Sequence, residues 1–131
     1  MRRLRSRPSK KKKKISQAQE GKKAYGDFLA NVATPAFQEL AEQLKNTKQV
    51  TVGSTGVTIF DMQGRLELGF ELVREPLQGS GMYYVTVRTK HQDRDGRRYT
   101  AEGSFSKVME MNKDEFLLAL VNKYISEIKY K

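Results

Sequence analysis

The chain contains no cysteine, which excludes a disulfide framework, a thiolate nucleophile and any cysteine-based zinc site. Its one histidine, His91, is too few for a histidine metal cluster. No apolar run approaches the roughly 20 residues that a membrane-spanning helix needs, and the basic start is not followed by the apolar segment of a signal peptide. A soluble, intracellular protein is the expectation. No nucleophile stands paired with a base in the sequence. Neither Gly53-Ser54-Thr55-Gly56 nor Gln78-Gly79-Ser80-Gly81 has the strand-to-helix context of a phosphate-binding loop. Asp93 and Asp95 lack calcium-loop spacing, because Gly96 follows too early. These absences predict a non-enzymatic protein that uses no cofactor and no metal.

What the chain does have is charge. Its 131 residues carry 25 Lys and Arg against 15 Asp and Glu, a formal net charge of +10. Residues 1–23 hold eleven basic side chains and one acid, Glu20, whereas the remaining 108 residues hold 14 of each sign. The excess therefore belongs to one end. A block with Arg2, Arg3, Arg5, Arg7 and Lys10, Lys11, Lys12, Lys13 and Lys14 repels itself and has almost no apolar surface to bury, so residues 1–15 are expected to be a disordered basic tail. Each cation that meets a phosphate releases a condensed counterion, which makes nucleic acid the first partner class for this tail. A localisation signal or an anionic lipid surface would use the same charge.

Beyond the tail, periodicity predicts a single domain over residues 16–131. Ser16 as N-cap opens a helix over 16–32 with Tyr25, Phe28, Leu29 and Val32 on one face. Thr34-Pro35 reads as the cap and first residue of a second helix, over 35–46, with Phe37, Leu40, Ala41 and Leu44 on its stripe. From residue 49 to 108 the period is two. Val50 and Val52, Val57 and Ile59, then Leu66, Leu68, Phe70 and Leu72 alternate with polar neighbours, Glu67 and Glu71 pointing the opposite way. Tyr83, Val85 and Val87 face Tyr99, Ala101, Gly103 and Phe105 across a hairpin closed by residues 93–96. Asn112 and Glu115 form a capping box for a last helix over 112–129, whose stripe is Leu117, Leu120, Val121, Tyr124, Ile125 and Ile128. No internal repeat is evident. An α+β two-layer sandwich follows, an antiparallel sheet of four or five strands packed by helices on one face and wet on the other.

The wet face supplies the second candidate site. Tyr84, Arg88, Lys90, Arg97 and Arg98 combine an aromatic ring with cations, the composition of a single-strand platform. Glu71, Asp93, Asp95 and Glu102 are interleaved with them, as on an ordinary solvated sheet. His91 reads as a surface residue near the turn.

The run from Tyr84 to Gly96, the strand that follows from Arg97, and the helix opening at Asn112 resemble the strand–turn–strand–helix unit of PUR-type and transcriptional-coactivator-type single-stranded nucleic-acid binders. The element order is also similar to the Alu-domain subunits of the signal recognition particle and, less closely, to the double-stranded-RNA-binding domain. The last of these opens its final helix with a basic cluster, whereas Lys113 here is followed by Asp114 and Glu115. The resemblance covers about 45 residues and implies nucleic-acid binding on a sheet face, with a preference for Tyr84, Arg88 and Lys90. The expected function is nucleic-acid binding or ribonucleoprotein assembly. The alternative is an interaction or structural subunit that pairs through a sheet edge, with itself or another protein, its tail serving anchoring or localisation.

Overall fold

The structure, a computed structural model, describes residues 23–77, 82–103 and 105–129. Arg2 through Lys14, the expected disorder of 1–15 and the Ser16 cap all lie outside the described residues.

The first described element, α1, is helical throughout residues 23–44. Pro35 has no N–H to donate and its ring crowds the carbonyl of the preceding turn, so a regular α-helix would break there. The chain widens instead. A π-helical turn over Leu29–Ala33 ends with the Thr34 N–H bonded to the Leu29 carbonyl, five residues back, and α-helix resumes over Thr34–Leu44. Thr34 itself has helical angles, φ −61° and ψ −47°, and makes no cap. The two helices expected at 16–32 and 35–46 are therefore one helix in the described part. Tyr25 and Phe28 before the wide turn, and Ala36, Phe37 and Leu40 after it, are all buried.

Five strands follow: β1 (Gln49–Val52), β2 (Gly56–Phe60), β3 (Leu66–Leu77), β4 (Met82–Gln92) and β5 (Arg98–Glu102). They pair in chain order as an antiparallel meander. A short 3-10 turn (Val108–Glu110) leads into the last helix, α2 (Lys113–Lys129). Both helices lie on one face of the sheet, giving the α+β sandwich that alternation predicts. Its core joins Val57, Ile59, Leu68, Phe70, Leu72, Val85 and Val87 from the sheet with Phe28, Phe37 and Leu40 of α1 and Phe116 and Leu120 of α2. Phe116 is the hub, edge-on to Phe28 at 5.5 Å, Phe37 at 5.7 Å and Phe105 at 6.1 Å. Each such ring contributes about 1.5–3 kcal/mol by leaving water.

The Asn112–Glu115 capping box forms as expected. Asn112 Oδ1 accepts the Glu115 N–H at 2.8 Å and Glu115 Oε1 accepts the Asn112 N–H at 2.9 Å. The strands stop earlier than residue 108. Gly103 turns the chain inward, its N–H bonded to the Val87 carbonyl at 2.8 Å, where a β-carbon would stand 2.6 Å from that oxygen. Phe105 has thus left the strand, yet it packs edge-on against Phe70 at 6.2 Å.

The two hairpin turns at one end of the sheet are copies of each other. Asp61 and Asp93 each accept, on Oδ1, the N–H groups two and four residues ahead, all four bonds at 2.9 Å. Gly64 and Gly96 each take φ +86°, a left-handed angle that favours glycine. Both turns read Asp-x-x-Gly-Arg, and an Arg65 Nη2 hydrogen bond to the Asp93 carbonyl joins them.

Candidate nucleic-acid interface

The face of the sheet away from the helices is shaped by one irregularity. Ile59 pairs with Leu68 but Phe60 pairs with Leu66, so Glu67 is an extra residue, a β-bulge. Side chains of β3 change sides there. Leu66 leaves the helix-facing core and lines a cavity with Phe60 on the open face, whereas Glu67 swings to the helix side. There it accepts hydrogen bonds from Lys48 Nζ at 2.7 Å and Tyr124 Oη at 2.6 Å. The expected placement of Glu67 beside Glu71 on the wet face is corrected by this bulge. Burial, and then the bond to Glu67, hold the Tyr124 hydroxyl well above the ordinary tyrosine range. Lys113 is also raised, by its hydrogen bond to Glu39 on α1. Neither group lies on the open face.

His91 is not a surface residue. It is 5% exposed, beneath α2. Its Nε2 lies 2.7 Å from Thr89 Oγ1, its Nδ1 lies 3.7 Å from Glu127 Oε1, and its ring stacks on Tyr99 with centroids 5.0 Å apart. Register explains the burial, because Thr89 and His91 continue the inward phase of Val85 and Val87. Tyr99, paired with His91, shares that side but stays 53% exposed, because β5 runs beyond the cover of the helices.

Tyr84, Arg88, Lys90 and Arg98 do share the open face, but not one patch. Tyr84 and Gln92, the partner of Arg98, are eight residues apart on β4, about 26 Å at the rise of an extended strand. Tyr84 is half exposed at one end. In the middle, Arg88 Nη2 meets Glu75 Oε1 at 3.1 Å and Lys90 Nζ meets Glu71 Oε1 at 2.8 Å. Such half-exposed pairs contribute about 0–1 kcal/mol, so a phosphate can compete for these cations at little cost. Arg97 leaves the turn at the far end with an exposed side chain. Among the described residues Arg94, Arg97 and Arg98 have no carboxylate within ion-pair distance.

Two residues at that end escape a reading of the sequence. The Arg98 guanidinium carbon lies 6.0 Å from the centre of the Phe60 ring, and Leu66 lies beside them. Phe60 had a signal, since alternation from Val57 and Ile59 places it outward. Leu66 had none, because the bulge that turns it is not written in composition.

Among the described residues no group of three or more His, Asp or Glu is placed to hold a metal ion. None of the described helices is long and apolar enough to cross a membrane. Compared with protein families, curated proteins and solved structures, the chain matches none.

Proposed function

We propose that the protein is a non-enzymatic nucleic-acid-binding or ribonucleoprotein-assembly protein, in which the basic segment neutralises phosphates and the α+β domain docks it. The observation that carries this reading is the segregation of charge, eleven cations and one acid in residues 1–23 against an even balance in the other 108. Phosphate contact by such a segment is independent of sequence and strongly salt-dependent. The open sheet face supports a second, weaker contact through Arg88, Lys90, Arg97 and Arg98, and the strand–turn–strand–helix order agrees with the single-strand binders it resembles.

The test compares the natural chain with a variant in which Arg2, Arg3, Arg5, Arg7 and Lys10 to Lys14 are changed to serine or glutamine. Both are titrated with single-stranded RNA and DNA over a salt series. If all nine cations meet phosphates, the slope of log K against log salt becomes shallower by about 6, at roughly 0.7 per contact on a single strand. An unchanged affinity and slope would remove the basic segment from the proposal.

A second reading, an interaction subunit, is favoured by Leu118, Ile125 and Ile128, which stand 60%, 47% and 39% exposed on α2, and by the outer edge of β5. Light scattering across a concentration series checks it. A single monomer mass at all concentrations excludes self-pairing.

A further inference from the structure

We infer that the cavity between Phe60, Leu66 and Arg98 is a pocket for one nucleotide unit, its base against the Phe60 ring and its phosphate at Arg98. The inference rests on the nucleic-acid reading above and gives that reading a place on the fold.

The cavity encloses about 250 Å³ and opens on the face away from the helices. That is below the roughly 300–1,000 Å³ of pockets for drug-sized ligands, so it suits a single base and little more. Its walls separate by chemistry. Phe60 and Leu66 are the apolar lining residues, Thr58, Tyr99 and Thr100 carry hydroxyls, and Lys90 and Arg98 are the cations. A planar, partly apolar body with hydrogen-bonding edges and an attached anion is the ligand that fits this set, and a nucleotide is that body. The Arg98 guanidinium already sits by the Phe60 ring face, at cation–π distance. No carboxylate among the described residues is within ion-pair distance of it, so its charge is available to a phosphate.

The surrounding backbone is braced. The Leu66 N–H at the bulge is bonded to Gln92 Oε1 at 2.9 Å, and Gln92 Nε2 reaches the Gly96 carbonyl at 3.1 Å. Arg65 links the neighbouring turn to Asp93. Gly69 leaves room for the Lys90 stem, since a β-carbon there would stand 3.1 Å from Lys90 Cβ. The Leu66 wall of the pocket is thus fixed by hydrogen bonds, which spares the ligand the cost of ordering it. Arg94 and Arg97 in the adjoining turn extend positive charge beyond Arg98, the direction in which a strand's next phosphates would run.

The nucleotide could come as a free molecule or as part of a strand. The 131-residue chain, isotopically labelled, is titrated with inorganic phosphate, ribose 5-phosphate, uridine and adenosine 5′-monophosphates, and eight-residue oligomers of each nucleoside. The expected result is that the oligomers perturb the amide signals of Phe60, Leu66, Arg98 and Thr100, the monophosphates do so more weakly, and phosphate and ribose 5-phosphate leave them in place. Phe60→Ala should weaken oligomer binding about 5- to 160-fold without changing its salt slope, because the ring is uncharged. Arg98→Gln, at an exposed position, should flatten the slope by about 0.7. Monophosphates binding as tightly as oligomers would make the ligand a free nucleotide and overturn the strand assignment. Oligomers that bind the protein but leave the four signals unmoved, or phosphate alone reproducing the shifts, would overturn the pocket while the basic segment stands. Loss of all oligomer binding by the natural chain would overturn both.

Discussion

Tyr124 on α2 donates its hydroxyl to Glu67 Oε1 at 2.6 Å, and Lys48, just before β1, holds the other carboxylate oxygen at 2.7 Å. This three-residue link fastens the C-terminal helix to the bulge, and so couples the helical layer to the geometry of the open face.

Tyr124→Phe should lower stability by about 1.5–3 kcal/mol, the range for a hydrogen bond to a charged group, read from urea denaturation near pH 7. The natural protein should also lose stability in alkali. The folded state holds the Tyr124 proton more tightly than the unfolded state does, so the contribution is complete below the ordinary tyrosine value of about 10 and declines as pH rises above it. Comparing denaturation midpoints at pH 8 and pH 11 checks this. The phenylalanine variant has no hydroxyl proton to lose at this position, and its decline should be shallower than that of the natural protein.

His91→Ala should cost about 2–4 kcal/mol, since it empties a buried site and removes the closer of two partners of Thr89 Oγ1, at 2.7 Å, leaving the Ala101 carbonyl at 3.4 Å. A residue near a turn in solvent would give less than about 0.5 kcal/mol. Thermal and urea melts of the variant decide between the two magnitudes.

Periodicity makes the layers legible because burial on one face imposes it directly. The alternation of Leu68, Phe70 and Leu72, and of Val85 and Val87, names the inner face of the sheet, and Asn112 with Glu115 names the start of α2. What alternation does not carry is a change of phase. The bulge at Glu67 exchanges the sides of Leu66 and Glu67, and the π-turn before Pro35 joins two stripes that look like separate helices. Both are single-residue events, invisible to a pattern averaged over a window. His91 was legible in principle, since it continues the phase of Val85, but a polar residue beside a turn argues the other way. The candidate site suffered most, because register places Tyr84 far from Arg98 and brings Phe60 and Leu66 beside Arg98 instead.

Asp61→Ala and Asp93→Ala each remove two hydrogen bonds from backbone N–H groups and should each cost about 1–2 kcal/mol. Together they should depart from additivity by more than about 0.5 kcal/mol, because Arg65 of the first turn is bonded to the Asp93 carbonyl of the second. A double-mutant cycle in urea measures the coupling, and strict additivity would show that the two turns stand independently.

The phase of α2 can be tested on its own surface. Sequence alone groups Ile125 and Ile128 with Leu117, Leu120 and Tyr124, yet the helix buries only the last three of these, with Leu120 fully enclosed and Leu118 60% exposed on the outside. Leu120→Ala should therefore cost about 2–5 kcal/mol, the range for a large core side chain cut back to alanine. Leu118→Ser and Ile125→Ser should each stay within about 0.5 kcal/mol, as replacements at exposed sites do. If instead Ile125→Ser destabilises in a concentration-dependent way, with a midpoint that falls on dilution for the natural protein but not for the variant, the outer stripe is covered by another copy of the chain, because only association makes stability depend on protomer concentration.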